Sequence, residues 1–135
     1  MITEKAPGKL YIAGEYAVVE NGYPAILGAL DQFITCSIEE SAAEVGKIIS
    51  RQYRNNALQW HRLGEQMVVD NRDNPFSYIL SAIKVTEEYA RSFARELRIF
   101  DLHIDSQLDS DSGKKYGLGS SAAVTVATVK ALCRF

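Results

Sequence analysis

The residues best suited to chemistry run from Lys115 and Tyr116 through Gly117-Leu118-Gly119-Ser120-Ser121-Ala122-Ala123. Gly117 and Gly119 let the backbone turn tightly and approach a ligand closely. Ser120 or Ser121 can cap a helix. Ala122 to Leu132, free of Gly and Pro, reads as that helix. A helix start presents unpaired N–H groups and the positive end of a dipole, so it accepts phosphate. The chemistry implied is a phosphate cradle formed by the backbone from Gly117 to Ala122. Two hydroxyls lie within reach of a phosphate or a Mg2+ ion. The spacing is not that of a P-loop, and the third glycine of the dinucleotide fingerprint is absent. As a bare pattern it also reads as a loop capping a buried helix.

A cradle needs a frame, and the chain before it supplies one. Residues 2–6 read as a short edge strand, broken by Pro7-Gly8, and Lys9 to Gly14 as a second strand. Glu15 to Val19 forms a turn or short helix, and Asn21-Gly22 is a turn. Pro24 to Ala29 and Gln32 to Glu39 read as two strands around Leu30-Asp31. Further strands are predicted over Val45 to Tyr53, Ala57 to Arg62 and Met67 to Val69, with a turn at Asn55-Asn56. These make hairpins of an antiparallel sheet. The period then changes. Asn74 can cap a helix that has Pro75 at its first position. Phe76, Ile79, Leu80, Ile83, Ala90, Phe93, Ala94 and Leu97 share one face, which predicts a helix over 75–96. Phe100, Leu102 and Ile104 alternate with Asp101, His103 and Asp105, a strand with one wet face. Gln107 to Lys115 is a polar loop leading to the glycines. Strands, then helix, strand, loop and helix, predict an α+β fold with a sheet packed by helices.

At 135 residues the chain predicts one domain, and 47% hydrophobic with 24% charged residues is the balance of a soluble globular protein. A net charge of −2 argues against a broadly basic nucleic-acid surface. Cys36 and Cys133 lie far apart with no C-x-x-C pair, so they read as two buried free thiols rather than a zinc site or a disulfide framework. The N-terminus lacks the apolar core of a signal peptide, and no apolar run approaches the ~20 residues of a membrane span. A cytoplasmic location is expected, with no membrane partner. His61 and His103 lie among polar strand neighbours, with no metal-binding spacing. Asp109-Ser110-Asp111-Ser112-Gly113 falls short of a calcium loop. The last helix carries apolar residues on nearly all faces and should be buried on most sides. It stops at Arg134-Phe135 without a C-cap, so the chain is expected to be the N-terminal part of something longer.

A second stretch, Pro7-Gly8-Lys9-Leu10-Tyr11-Ile12-Ala13-Gly14-Glu15-Tyr16-Ala17-Val18, pairs with the first. Together, in this order and separation, they resemble the first two motifs of the GHMP kinase superfamily, which includes galactokinase, homoserine kinase, mevalonate kinase and phosphomevalonate kinase. Tyr16 stands where mevalonate kinase and galactokinase typically carry histidine. Gly113 to Ser121 is similar to the bacterial phosphomevalonate kinase form of the second motif. The resemblance implies an N-terminal GHMP domain over residues 1–135, similar to the second domain of ribosomal protein S5. A C-terminal domain bearing the third glycine-rich motif and the catalytic aspartate would lie beyond it. It implies ATP and Mg2+ as cofactors and phosphomevalonate as the small-molecule substrate, converted to 5-diphosphomevalonate in isoprenoid biosynthesis.

It further implies Lys9 as the catalytic cation near the transferred phosphoryl group. Lys115 and Gly117, Leu118, Gly119, Ser120, Ser121 and Ala122 would hold the ATP phosphates. Ser120 or Ser121 would serve Mg2+, and Glu15 and Tyr16 would line the substrate pocket, with Glu15 able to pair with Lys9. The chemistry agrees. A phosphate monoester has a second pKa near ~6 and is largely dianionic at pH 7. The barrier is therefore repulsion between anions rather than deprotonation, and cations lower it. The chain alone is expected to be weakly active or inactive. The other readings are a different GHMP enzyme (mevalonate kinase or diphosphomevalonate decarboxylase) and a non-catalytic S5-like binding module.

Overall fold

The computed structural model describes residues 1–51, 57–70, 75–109 and 117–135. The elements in chain order are β1 (Ile2–Ala13), a 3-10 turn (Ala17–Val19), β2 (Ile26–Glu40), β3 (Gly46–Ser50), β4 (Leu58–Leu63), β5 (Gln66–Val69), α1 (Ser77–Ser92), β6 (Phe100–Ser106) and α2 (Ser120–Arg134). The six strands form one sheet in the order β1-β2-β6-β3-β4-β5. All neighbours are antiparallel except β3 and β6, which run parallel. The expected run of hairpins therefore holds for most of the sheet. It fails at β6, which enters between β2 and β3 after α1.

Alternation sets one face of the sheet as the core. Ile34, Cys36 and Ile38 of β2 are buried beside Leu102 and Ile104 of β6, with Ile48 of β3 and Leu58 and Trp60 of β4 continuing the layer. The same cluster takes in Ile79 and Ile83 of α1 and Ala123, Ala127 and Ala131 of α2. Both helices thus cover this face, and α2 lies against β1, β2 and α1. Small residues at every fourth position of α2 let it sit close on the sheet. Val126 on its outer side is half exposed, and its buried residues are Ala123, Ala127, Thr128 and Ala131. One side is buried, not most, which corrects the expectation from composition. The far end of α2 is tied to β1, where Arg134 and Lys130 hold the Glu4 carboxyl below its usual range. No helix among the described residues is long and apolar enough to cross a membrane.

Three local departures have physical causes. First, β1 runs unbroken through Pro7-Gly8, and β2 runs through Leu30-Asp31. Pro7 pairs with Phe33 and Lys9 with Ala29, so residues 30–32 of β2 face Gly8 alone, and the bulge absorbs the breakers. β1 is an edge strand, where proline is tolerated. Second, α1 starts at Ser77 with Phe76 as its N-cap, inside the predicted start; Asn74 lies outside the described residues, as does the Asn55-Asn56 turn. It ends at Ser92 rather than near 96. Ala94 takes φ 53°, Ala94 N–H donates to Arg91 O at 2.9 Å, and Arg95 N–H donates to Ala90 O at 3.2 Å. This is a Schellman closure with alanine in the glycine position. Phe93 is left 63% exposed and off the core face. Third, Cys36 is buried as expected but Cys133 is exposed. Burial pushes the Cys36 thiol up to about 11, against a hydrogen bond with Thr128, so it stays protonated and inert at neutral pH.

Candidate phosphate-binding site

The bulge in β1 is where the two glycine-bearing stretches meet. A Cβ at Gly8 would lie 2.6 Å from Leu108 Cδ2 and 2.9 Å from Leu118 O, so only glycine allows the approach. Leu108 is fully buried beneath it. It is held in a tight turn: its N–H donates to Ser106 Oγ at 3.1 Å, and Ser106 Oγ donates to Asp109 Oδ2 at 2.8 Å. Lys9 N–H then donates to Leu118 O at 2.9 Å. The turn before α2 is docked on β1 by a backbone bond that neither stretch announces alone.

Gly117 and Gly119 both take φ 74°, in the left-handed region. Gly119 is the N-cap of α2, and no side chain caps the helix. This corrects the expectation that Ser120 or Ser121 is the cap. Glycine takes the unusual conformation, and both serines fall inside the first turn, where the N–H groups have no partner within the helix. No acidic residue occupies that turn to offset the dipole. What remains is a half-exposed helix start whose first turn carries two hydroxyls and no carboxylate. Among the described residues, no group of three His, Cys, Asp or Glu side chains is placed to hold a metal.

The side chain of Lys9 is brought to this start. A Cβ on Gly119 would lie 2.8 Å from Lys9 Cγ, so the lysine stem rests against the glycine. Its Nζ lies 4.5 Å from the centroid of the Tyr11 ring. Lys9, Gly117, Leu118, Gly119 and Ser120 are thus gathered from opposite ends of the sequence, with Ser121 and Ala122 continuing the first turn of α2. Lys115 and its neighbour Lys114 lie outside the described residues.

Glu15 and Tyr16 sit beyond the end of β1, and both are exposed. No ion pair joins Glu15 to Lys9. Tyr16 has φ 64° and ψ −45°, an uncommon backbone for a residue with a Cβ, and the residue is 82% exposed. Such strain costs ~1–3 kcal/mol and collects at functional positions. Gly8, Leu108 and Tyr11 were not among the residues expected from sequence to serve the site. Tyr11 carried a signal in retrospect, since residues two apart on a strand share a side.

Gly119→Ala is expected to destabilise the chain by ~1–2 kcal/mol, because a left-handed Cβ is unfavourable by that amount. Its Cβ must also displace the Lys9 stem. The check is a melting temperature lowered by several degrees, together with a changed Lys9 side-chain environment by NMR. Gly22→Ala is the control, a position with φ 92° and open space around it, where the strain alone should be seen.

Residues 77–135, from α1 through the glycine turn to the end of α2, match the family model for the GHMP kinases N terminal domain. The chain is 37% identical to the phosphomevalonate kinase of Streptomyces sp. (strain CL190), covering 99% of this chain and 38% of that protein. It is 34% identical to the mevalonate kinase of Methanocaldococcus jannaschii, covering 100% of this chain and 40% of that one. Among solved structures, Streptococcus pneumoniae phosphomevalonate kinase in complex with phosphomevalonate and AMPPNP superposes with a TM-score of 0.77 at 34% identity, over 99% of this chain and 36% of that one. The chain spans about two fifths of the length of these relatives. A glycine turn docked on a lysine-bearing strand, in a mixed sheet covered by two helices, is therefore the fold of the GHMP kinase N-terminal domain, and the chain is similar to the N-terminal two fifths of these kinases.

Proposed function

We propose that this chain is the phosphate-holding part of an ATP-dependent phosphomevalonate kinase, acting in the mevalonate route to isoprenoids in the cytoplasm. The observation that carries the reading is the docking of the Gly117–Gly119 turn on β1, which puts the Lys9 stem at an uncapped helix start. The names of the relatives support the choice of phosphomevalonate and of a nucleotide triphosphate.

In this reading the backbone from Gly117 to Ala122, with Lys115, holds the nucleotide phosphates through N–H donors and the helix dipole. Ser120 or Ser121 offers a hydroxyl oxygen to Mg2+, an ion suited to a site with one or two protein oxygens and phosphates for the rest. Bound there, Mg2+ would neutralise charge on the nucleotide phosphates. Lys9 neutralises charge on the group in transit. A terminal oxygen of 5-phosphomevalonate forms a bond to the γ-phosphorus, and the bond from that phosphorus to the β–γ bridging oxygen breaks. ADP and 5-diphosphomevalonate result. The acceptor is dianionic at neutral pH, so positioning and charge neutralisation do the work a base would do for an alcohol. Glu15 and Tyr16 form part of the wall of the acceptor pocket.

The test is an assay with ATP and either phosphomevalonate or mevalonate. The chain would be studied alone and then with a C-terminal segment that supplies the third glycine-rich motif and the catalytic aspartate. Little or no transfer by the chain alone, and transfer to phosphomevalonate by the pair, is the expected result. Preference for mevalonate would move the assignment to the neighbouring enzyme of the family. A folded pair that transfers to neither acceptor would defeat the reading.

A further inference from the structure

We infer that Tyr11 is the positioning residue for Lys9: its ring seats the Lys9 ammonium at the rim of the Gly117–Gly119 turn. This rests on the reading of Lys9 as the cation that meets phosphate. Lys9 and Tyr11 lie two apart on β1, paired with Ala29 and Leu27 of β2, so their side chains leave the strand on the same side. The Nζ-to-centroid distance of 4.5 Å is within the ~6 Å reach of a cation–π contact. Gly119 leaves the stem its room, since a Cβ there would lie 2.8 Å from Lys9 Cγ and 3.4 Å from Cε. Among the described residues no carboxylate forms an ion pair with Lys9.

The choice of an aromatic ring over a carboxylate has a consequence. A carboxylate would hold the ammonium but cancel its charge, and an arriving phosphate would have to displace it. A ring face attracts the cation through its quadrupole and leaves the full charge in place. Lysine alone is a flexible stem with much rotamer freedom. Seated between Gly119 and Tyr11, the ammonium is placed before the anion arrives, so less ordering remains to be done on binding.

The experiment is NMR of the chain with Lys9 assigned, followed by titration with inorganic tripolyphosphate. The Lys9 ε-methylene protons are expected upfield of a solvated lysine because of the Tyr11 ring current. Tyr11→Phe, which keeps the ring and removes only the hydroxyl, should retain that shift and bind tripolyphosphate like the parent. Tyr11→Leu should lose the shift and bind about three- to tenfold more weakly, with the amide signals of α2 beyond its first turn unchanged. An unshifted Lys9 ε-methylene in the parent chain overturns the inference, as does Tyr11→Leu that binds like the parent. If Tyr11→Leu does not fold, the parent and Tyr11→Phe decide: loss of the shift or of binding in Tyr11→Phe overturns it, and retention of both sustains it. A shifted Lys9 in a parent chain that binds no tripolyphosphate would sustain the seat on Tyr11 and defeat the phosphate-site reading instead.

Discussion

Lys9→Met in the complemented kinase is expected to slow phosphoryl transfer by roughly 100- to 1,000-fold, the range seen when one charge-stabilising donor is removed from a transition state. Methionine keeps an unbranched stem for Gly119 to rest against and removes only the ammonium. Lys9 is half-buried on an edge strand and makes no ion pair among the described residues, so little folding energy depends on its charge. The change in stability should stay within about 0.5 kcal/mol. If the charge acts on the group in transit, kcat carries most of the loss and KM for ATP moves less. Single-turnover rates beside a thermal melt separate the two. A variant with parental rate would remove Lys9 from the chemistry. One that is slow only because it is unfolded would leave its melting curve far below the parent.

The second large effect is on the fold. Glu87→Ala is expected to cost ~3–5 kcal/mol, since it strips the partner from a buried guanidinium. Arg62 of β4 meets Glu87 of α1 in a two-pronged contact at 2.5 and 3.2 Å, with side chains only 10% and 7% exposed. Arg62 also donates to Arg98 O at 2.8 Å and lies 5.0 Å from the Trp60 ring. Its Nε is already buried without a partner among the described residues, so the residue has little reserve when the carboxylate goes. The pair fixes α1 to the sheet, and α1 supports α2, whose first turn belongs to the phosphate site. Replacing both members, with Arg62→Leu and Glu87→Leu, should recover most of the loss, because no buried charge is then left alone. Urea titrations of the parent, Arg62→Leu, Glu87→Leu and the double variant give the coupling. A Glu87→Ala loss under 1 kcal/mol would contradict the assignment of this pair as the link between β4 and α1.

Local pattern made part of this fold legible. Phe100, Leu102 and Ile104 alternate with polar residues, and β6 lies where that alternation places it. The glycine turn and the helix after it were readable because left-handed turns and Gly-free runs are local matters. The positions that were not readable depend on partners distant in sequence. Pro7-Gly8 and Leu30-Asp31 look like strand ends, yet β1 and β2 bulge against one another and continue. Ala94 closes α1 in a conformation that sequence habit reserves for glycine. Glu87 looks like an ordinary surface carboxylate until Arg62 is brought across from β4. In the site, the residue types of the turn were legible, but its docking on Lys9 through Leu118 O was not. That bond depends on the bulge and on Leu108 filling the space under Gly8. The cap was misplaced by one or two residues because Gly119 takes the N-cap role.

If the first turn of α2, with Lys9 beside it, holds the phosphates of a nucleotide, both must respond when the nucleotide binds. Amide and lysine side-chain shifts of the chain, followed during titration with ATP and Mg2+, test it most directly. Saturable changes centred on Gly117 to Ala122 and on Lys9 are expected, with β4 and β5 at the far edge of the sheet unmoved. Saturable changes centred elsewhere, such as the cleft lined by Lys5, Asp31 and Asp105, or no change at the turn, would contradict it.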